Sequence, residues 1–202
     1  GSKVEFEGHM LEVELGPGLL SKNFDGLQND LDKMDGVFLK RGLYTPALED
    51  DKKWSFAPLA NVGDKVIAGD WLGNVKENWL DHKIMVPFKF EGEYTVESVA
   101  AEGEYTINDT IATLKDAEGE IHNVTMVQKW PVKPAVKAYK NKPRPFRLLE
   151  TGVRVIDTMS PILEGGTGFI PGPFGTGKTV IQHSLAKHAN ADIIIMAACG
   201  ER

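Results

Sequence analysis

A glycine-rich stretch at residues 172–179, G-P-F-G-T-G-K-T, holds the residue types best able to do chemistry in this chain. It satisfies every constrained position of the pattern G-x-x-x-x-G-K-[S/T], whose backbone N–H groups surround the phosphates of a nucleotide. In such a loop, Lys178 is predicted to reach the β- and γ-phosphates, and the Thr179 hydroxyl is predicted to ligate Mg²⁺. The alternative is a glycine-rich turn that binds nothing. The predicted phosphate-binding residues are Gly172, Pro173, Phe174, Gly175, Thr176, Gly177, Lys178, Thr179 and Val180.

The segments on either side of this loop predict the unit that positions it. Residues 168–171 are a short apolar segment that can end a strand, and apolar residues recur at helical spacing from Val180 to Ala186. Asn190 is predicted to stop this helix. Residues 192–198 are a continuous apolar run, typical of a strand buried on both faces of a parallel sheet. Strand, loop, helix and strand together predict a partial P-loop nucleotide-binding core of the α/β class.

Two charged residues follow the predicted second strand. In an open parallel sheet, ligands lie outside the carboxyl ends of the strands. Glu201 is therefore predicted to orient and polarise a water molecule for attack on a γ-phosphate, and Arg202 to bind phosphate oxygens as a fork. The alternative is a solvated Glu–Arg pair. Cys199, just before them, is predicted to be a small buried residue at the strand end.

The composition limits the classes of protein to which the chain can belong. An apolar share of 42% is enough for a packed core, and no apolar stretch approaches the roughly 20 residues needed to cross a bilayer. The single cysteine excludes an internal disulfide framework and fits a reducing compartment. Residues 1–130 are acidic, whereas residues 131–202 hold ten basic and five acidic side chains. An acidic surface over most of the chain argues against nucleic-acid binding.

The chain ahead of the loop divides into segments of different texture. Residues 10–20 predict a strand, residues 24–34 a short amphipathic helix, and residues 151–159 a second helix. From residue 54 to about 127, short β-prone runs alternate with Gly, Asn and Asp turns, which predicts a small all-β sandwich or barrel without helices. Residues 131–147 are punctuated by proline and predict a semi-rigid linker.

The β-rich part also resembles the hammerhead fold of biotinyl and lipoyl carrier domains. Those domains present a lysine at a hairpin tip for attachment of the cofactor. By this resemblance, the sequence His-Lys-Ile-Met at residues 82–85 would form the tip, with Lys83 as that lysine. The residue directly before it is His82, where carriers have an acidic residue or methionine. A carrier-like shape used as a structural module is therefore favoured over modification of Lys83. His82 has no second ligand at metal-binding spacing, so no metal site is predicted there.

The phosphate loop and several other motifs resemble the catalytic A subunit of V-type and A-type rotary ATPases. The loop region 165–180 and the C-G-E-R sequence at 199–202 carry the resemblance most specifically. Residues 13–28 resemble the entry to that family's nucleotide domain, and residues 82–87 and 103–106 resemble its inserted bulge domain. Residues 130–132 and 151–157 resemble the return into the core.

This resemblance implies a fold, a domain organisation and a function. The expected architecture is a partial P-loop (RecA-like) core over residues 10–48 and 128–202, interrupted by a barrel-sandwich bulge domain over residues 49–127. Residues 1–9 are expected to be a leader that includes an expression scar at its start. The N-terminal β-barrel and everything beyond Arg202 in the family are expected to be missing, so the chain is expected to be a fragment.

The resemblance also implies ATP or ADP with Mg²⁺ as ligands and an ion-translocating ATP hydrolase or synthase as the intact machine. Its partners would be non-catalytic B subunits in an alternating ring of six, stalk subunits and a membrane rotor sector. The location would be cytoplasmic, on the inner face of the cell membrane and without direct membrane insertion. Thr176 stands where eukaryotic members commonly carry cysteine, which indicates a prokaryotic source.

Two other functions compete with the ATPase assignment. One is a carrier or scaffold module bearing biotin or lipoate on Lys83, and the other is a stand-alone P-loop kinase. The kinase would need its own Walker B strand and substrate lid, for which no sequence follows Arg202. The ATPase assignment is preferred, and the isolated chain is expected to bind nucleotide weakly and to show negligible turnover.

Overall fold

The protein is described by a computed structural model that covers residues 3–6, 8–36, 38, 40–139 and 141–200. The chain divides into two compact units, Gly1–Lys140 and Asn141–Arg202. No helix in these described ranges is both long and apolar enough to cross a membrane.

Over its described residues, the first unit consists of antiparallel strands and one 3₁₀ turn at Leu31–Lys33. Its strands are β1 Glu12–Leu15, β2 Lys53–Pro58, β3 Lys65–Val66, β4 Trp71–Glu77, β5 Leu80–Met85, β6 Tyr94–Val99, β7 Gly103–Thr106, β8 Ala112–Lys115, β9 Ile121–Val124 and β10 Gln128–Pro131. They form two four-stranded sheets, in the orders β5-β4-β2-β7 and β3-β6-β8-β9, and a two-stranded ribbon of β1 and β10. The all-β structure predicted for residues 54–127 is therefore confirmed.

Alternation of apolar and polar residues places one face of each sheet in a shared core. In β2, Trp54 and Phe56 are buried while Ser55 between them is exposed. Opposite them, β4 buries Leu72 and Val75, and the second sheet adds Val96 and others. The core cluster consists of Leu48, Trp54, Phe56, Ala60, Val66, Leu72, Val75, Ile84, Val86, Val96, Ile107, Ile111, Ala112, Leu114, Val124 and Met126.

Gly73 allows Phe56 to cross from β2 onto β4. A Cβ added at Gly73 would lie 2.2 Å from Cε2 of Phe56 and 2.8 Å from the carbonyl oxygen of Ala57. The ring therefore takes the space that any other residue would fill, and its edge meets Tyr105 in a T-shaped contact at 6.1 Å.

The ribbon pairs β1, which precedes the two four-stranded sheets in the chain, with β10, which follows them. Leu15 lies opposite Gln128 and Glu12 opposite Pro131, so the strand predicted within residues 10–20 is confirmed. The predicted domain limits at 48/49 and 127/128 stay a prediction.

The helix predicted for residues 24–34 is wrong. Phe24 instead forms an antiparallel bridge with Asp30, and only the 3₁₀ turn Leu31–Lys33 follows. The reason is local: the Asp25 carboxylate accepts the N–H groups of Leu27 and Asn29, both at 2.8 Å. Aspartate side chains that bind nearby backbone N–H groups stabilise turns at the expense of helices.

Between residues 141 and 200, the part of the second unit that the structure describes, there are two helices, α1 Arg154–Met159 and α2 Lys178–His188. Both helices were predicted, and their existence is confirmed. The strands predicted at 168–171 and 192–198 are not formed in the described residues, and Ile195 is 91% exposed. A buried parallel strand exists only between neighbouring strands, and the described part of this unit supplies none. Cys199, predicted to be buried, is exposed for the same reason.

Candidate phosphate-binding site

Two glycines in left-handed conformation shape the loop between Pro171 and α2. Gly175 has a φ of +80° and Gly177 a φ of +86°. Glycine adopts this conformation without the steric cost that a Cβ imposes. Gly177 precedes the first helical residue, Lys178, and its carbonyl accepts the N–H of Ile181 at 3.0 Å. The two glycines therefore turn the chain sharply into the helix.

Gly172 lets the two sides of the loop approach each other. A Cβ built on it would lie 2.5 Å from Oγ1 of Thr176. That hydroxyl donates a hydrogen bond to the carbonyl oxygen of Pro173 at 2.8 Å. The loop is thus a narrow concave turn whose width is set by the absence of a side chain at residue 172.

The ammonium group of Lys178 lies within this turn. It donates hydrogen bonds to the carbonyl oxygens of Gly172 and of Pro173, the latter at 3.1 Å. Among the ion pairs of the described residues, none joins Lys178 to a carboxylate. Its positive charge is therefore held by neutral carbonyl dipoles, which leaves the loop electrostatically suited to an anion.

The first turn of α2 adds the positive end of the helix dipole at the same place. Lys178 and Thr179 are half-buried there, whereas Val180 is 71% exposed and Phe174 is fully exposed at the tip of the loop. The structure thus brings all nine predicted phosphate-binding residues together. Glu201 and Arg202, the other two predicted site residues, lie outside the described residues.

A carboxylate on α1 organises the segment against which α2 ends. Asp157 accepts the N–H of Thr151 at 3.0 Å, its hydroxyl at 2.6 Å, and the N–H of Gly152 at 3.2 Å. The hydroxyl of Thr151 and the backbone hydrogen bonds keep the pKa of Asp157 below its ordinary value. The resulting turn positions Gly152, where an added Cβ would meet Cβ of His188 at 2.8 Å.

The end of α2 is therefore fixed by close backbone packing. The N–H of Asn190 also donates to the carbonyl oxygen of Glu150 at 2.8 Å. These contacts hold the helix that presents the loop. Sequence reasoning did not identify Asp157 as their organiser, because Thr151 and Asp157 are six residues apart and do not fit the three-residue spacing of a capping box.

The lysine of the carrier hypothesis is not at a hairpin tip. Lys83 lies inside β5, opposite Asn74 of β4, and its ammonium is 5.3 Å from the ring centroid of Trp71. The tip of this hairpin is formed by Asn78 and Trp79. The position predicted for Lys83 is therefore wrong, and the geometry that carrier domains use for modification is lacking.

His82 is committed to a structural contact. Its Nδ1 lies 2.7 Å from Oε2 of Glu77, a residue with only 4% of its side chain exposed. The other oxygen of Glu77 accepts the N–H of Gly18 at 2.7 Å. His82 and Glu77 thus connect the β4–β5 hairpin to the turn that follows β1.

Comparison with known families places both units of the chain. Residues 45–133 match the model described as the barrel-sandwich domain of ATP synthase alpha/beta subunits. Residues 152–202 match the nucleotide-binding domain of the ATP synthase alpha/beta family. The second match includes the loop described above.

Curated relatives match the chain over its whole length. They include "V-type ATP synthase alpha chain 1" of Treponema pallidum at 48% identity, and V-type ATP synthase alpha chains of Borrelia recurrentis and Chlamydia abortus, both at 50%. The alignments cover 100% of this chain and 35%, 36% and 34% of these relatives, respectively. The chain therefore spans about a third of the length of the proteins that it matches.

Proposed function

Because this chain belongs to the ATP synthase alpha/beta family, we propose that it is part of the catalytic nucleotide-binding subunit of a V-type rotary ATPase. In the proposed machine, ATP hydrolysis or synthesis is coupled to the movement of protons or sodium ions. Its partners would be non-catalytic B subunits in a ring of six, stalk subunits and a membrane rotor. The relatives cited above come from bacteria, which supports a bacterial source. The proposed place of the machine is the cytoplasmic face of the cell membrane.

The observation that carries this proposal is the geometry of the loop at residues 172–179. A narrow turn, with its lysine ammonium inside and a helix start behind it, is suited to a polyphosphate. Any side chain at Gly172 would meet Thr176, so the narrow shape that suits the turn to a polyphosphate depends on glycine at this position. We infer that the nucleotide-binding part belongs to a P-loop core of the RecA-like type, completed by strands beside residues 192–198.

The residues divide the work between binding and chemistry. Lys178 would move its ammonium from the carbonyls of Gly172 and Pro173 to the β- and γ-phosphates of ATP. The Thr179 hydroxyl is an oxygen ligand of the kind that Mg²⁺ prefers, and the ion would supply charge neutralisation at the phosphates. Glu201 would orient the attacking water, and Arg202 would bind phosphate oxygens.

Nucleotide binding by the chain itself is the direct test. We expect a fluorescent ADP analogue to bind weakly, and Lys178→Ala to weaken binding roughly 10- to 100-fold, because an ammonium–phosphate hydrogen bond contributes about 1.5–3 kcal/mol. Lys187→Ala is the matched control, since this lysine lies on the same helix in its last turn. Equal losses in the two variants would contradict a specific role for Lys178.

The catalytic assignment needs a full-length alpha chain that carries this sequence, assembled with its partners. There, Glu201→Gln is expected to leave nucleotide binding intact and to stop hydrolysis, because an amide cannot accept the proton or polarise the water as the carboxylate does. Release of phosphate and binding of nucleotide would be measured on the same preparation. Turnover at the unsubstituted rate would disprove the role of Glu201.

A further inference from the structure

A separate group of metal-ligating side chains lies on the β8–β9 hairpin of the barrel-sandwich unit. Asp116, Glu120 and His122 each offer one ligand atom, and these atoms lie within 4.8 Å of one another. The three residues have no part in the proposed nucleotide chemistry. No other such group occurs in the ranges of chain that the structure describes.

Backbone pairing fixes the positions of these three residues. Leu114 lies opposite His122 and Lys115 opposite Ile121, so Asp116 and Glu120 face each other across the turn. The N–H of Asp116 donates to the carbonyl of Glu120 at 3.0 Å, and the N–H of Glu120 donates to Oδ1 of Asp116 at 2.8 Å. The exposed Glu120 side chain is the one free to rotate toward its neighbours.

The imidazole is also held in place before any ion binds. The ring of His122 lies 5.5 Å from the ring of Phe90 and 5.6 Å from that of Tyr94, with an edge-on geometry in both cases. This packing leaves Nε2 only 2.8 Å from Oδ2 of Asp116. Two donor atoms bound to one Zn²⁺ at about 2.1 Å lie roughly 3.0–3.4 Å apart, so the pair needs little adjustment to chelate.

From this arrangement we propose that Asp116, Glu120 and His122 form a binding site for a divalent transition-metal ion such as Zn²⁺. Two carboxylates and one neutral imidazole balance the +2 charge, and three protein ligands leave room for water as the fourth. Mg²⁺ and Ca²⁺ prefer sites made of oxygen alone. The site therefore discriminates against the ion expected at the phosphate loop.

The proposal is tested by measuring Zn²⁺ binding to the whole chain by calorimetry, in a buffer that contains millimolar Mg²⁺. We expect one saturable Zn²⁺ site. His122→Ala should lower the affinity by more than the roughly 10- to 100-fold loss seen when a residue that only hydrogen-bonds to a metal ligand is removed. Glu120→Gln should also weaken binding, and its exposed side chain makes it tolerable to the fold. His183→Ala, on α2 of the other unit, is the control and should bind as the unsubstituted chain does.

A spectroscopic measurement places the ion. Co²⁺ should give d–d absorption, and its paramagnetic effect should broaden the NMR signals of the rings of Phe90 and Tyr94, which pack against His122. If His122→Ala fails to fold, Glu120→Gln and the Co²⁺ spectra still decide the matter. Absence of a saturable site, or a site unaffected by Glu120→Gln and His122→Ala alike, would overturn the proposal and leave Asp116 and His122 as a hydrogen-bonded pair only.

Discussion

Replacing Gly73 by alanine is expected to destabilise the barrel-sandwich unit more than any surface glycine replacement. The new Cβ would lie 2.2 Å from Cε2 and 2.3 Å from Cζ of Phe56, where an ordinary contact needs more than 3.4 Å. Phe56 is fully buried and cannot swing into solvent. The carbonyl oxygen of Ala57 at 2.8 Å adds a second conflict, and this one involves backbone.

The size of the effect follows from these two conflicts. Overpacking a buried site costs about 1–3 kcal/mol, and with both ring and backbone involved we expect about 3 kcal/mol. Phe56→Leu alone should cost about 1.5 kcal/mol, because it keeps much of the volume but loses the edge contact with Tyr105. In the Phe56→Leu background, Gly73→Ala should cost only about 1 kcal/mol, since the ring is gone and the Ala57 conflict remains. The coupling between the two sites is then about 2 kcal/mol.

Urea unfolding monitored by tryptophan fluorescence measures these free energies. All four tryptophans of the chain lie at residues 54–130, so the signal reports on the first unit alone. Gly26→Ala is the matched control, because a Cβ there would meet nothing within 4 Å, and its effect should stay within about 0.5 kcal/mol. Equal costs of Gly73→Ala in the two backgrounds would refute the steric argument.

Two further predictions concern carboxylates that accept hydrogen bonds. Glu77→Gln should cost about 1–2 kcal/mol in urea unfolding despite equal size, because the carboxylate that accepts the N–H of Gly18 and lies 2.7 Å from Nδ1 of His82 becomes a neutral amide. Hydrogen bonds to charged groups contribute more than those between neutral groups, and unchanged stability would contradict this. For Asp157, we expect the carboxyl to titrate below its ordinary 3.8 in an NMR titration, and Thr151→Val to raise that midpoint. Because the pKa of Asp157 is lower in the folded than in the unfolded state, its ionised carboxylate stabilises the folded state above pH 3.8, and this stabilisation is lost as the pH falls through the folded-state pKa. A midpoint at or above 3.8 in the unsubstituted chain would show that these hydrogen bonds contribute nothing.

Local patterns predicted the elements that depend on local physics. The glycines at 175 and 177 and the apolar spacing after Lys178 indicated the loop and α2 together, and both are formed. The alternation in segments such as β2 indicated half-buried strands, because a period of two has only one stable arrangement against a core. Neither inference required knowledge of a distant partner.

The errors arose where a distant partner or a single side chain decides the outcome. Residues 192–198 have the composition of a buried strand, yet a strand needs neighbours to pair with its backbone hydrogen-bonding groups, and no strand lies beside them in the described part of the second unit. Asp25 overrode the helical spacing of residues 24–34 through two short hydrogen bonds. The register of β4 and β5 placed Lys83 inside a strand, and sequence alone does not specify register.

The candidate site was only partly accessible from the sequence. Motif and spacing predicted a phosphate-binding role for residues 172–180, and the structure shows the turn and the helix start that such a role needs; the role itself stays a prediction. The grouping of Asp116, Glu120 and His122 depends instead on a hairpin register and on two aromatic rings from another part of the chain. The roles of Glu201 and Arg202 remain predictions.

The short ribbon of β1 and β10 has an evolutionary consequence. Because Leu15 and Gln128 are cross-strand partners, their Cα atoms are only about 5 Å apart, so everything between them departs from and returns to a single point. For the chain before β1 and after β10, the whole barrel-sandwich body therefore replaces the turn of a β-hairpin. Such a body is free to grow, shrink or be exchanged for another in the course of descent, provided the replacement starts and finishes at neighbouring positions.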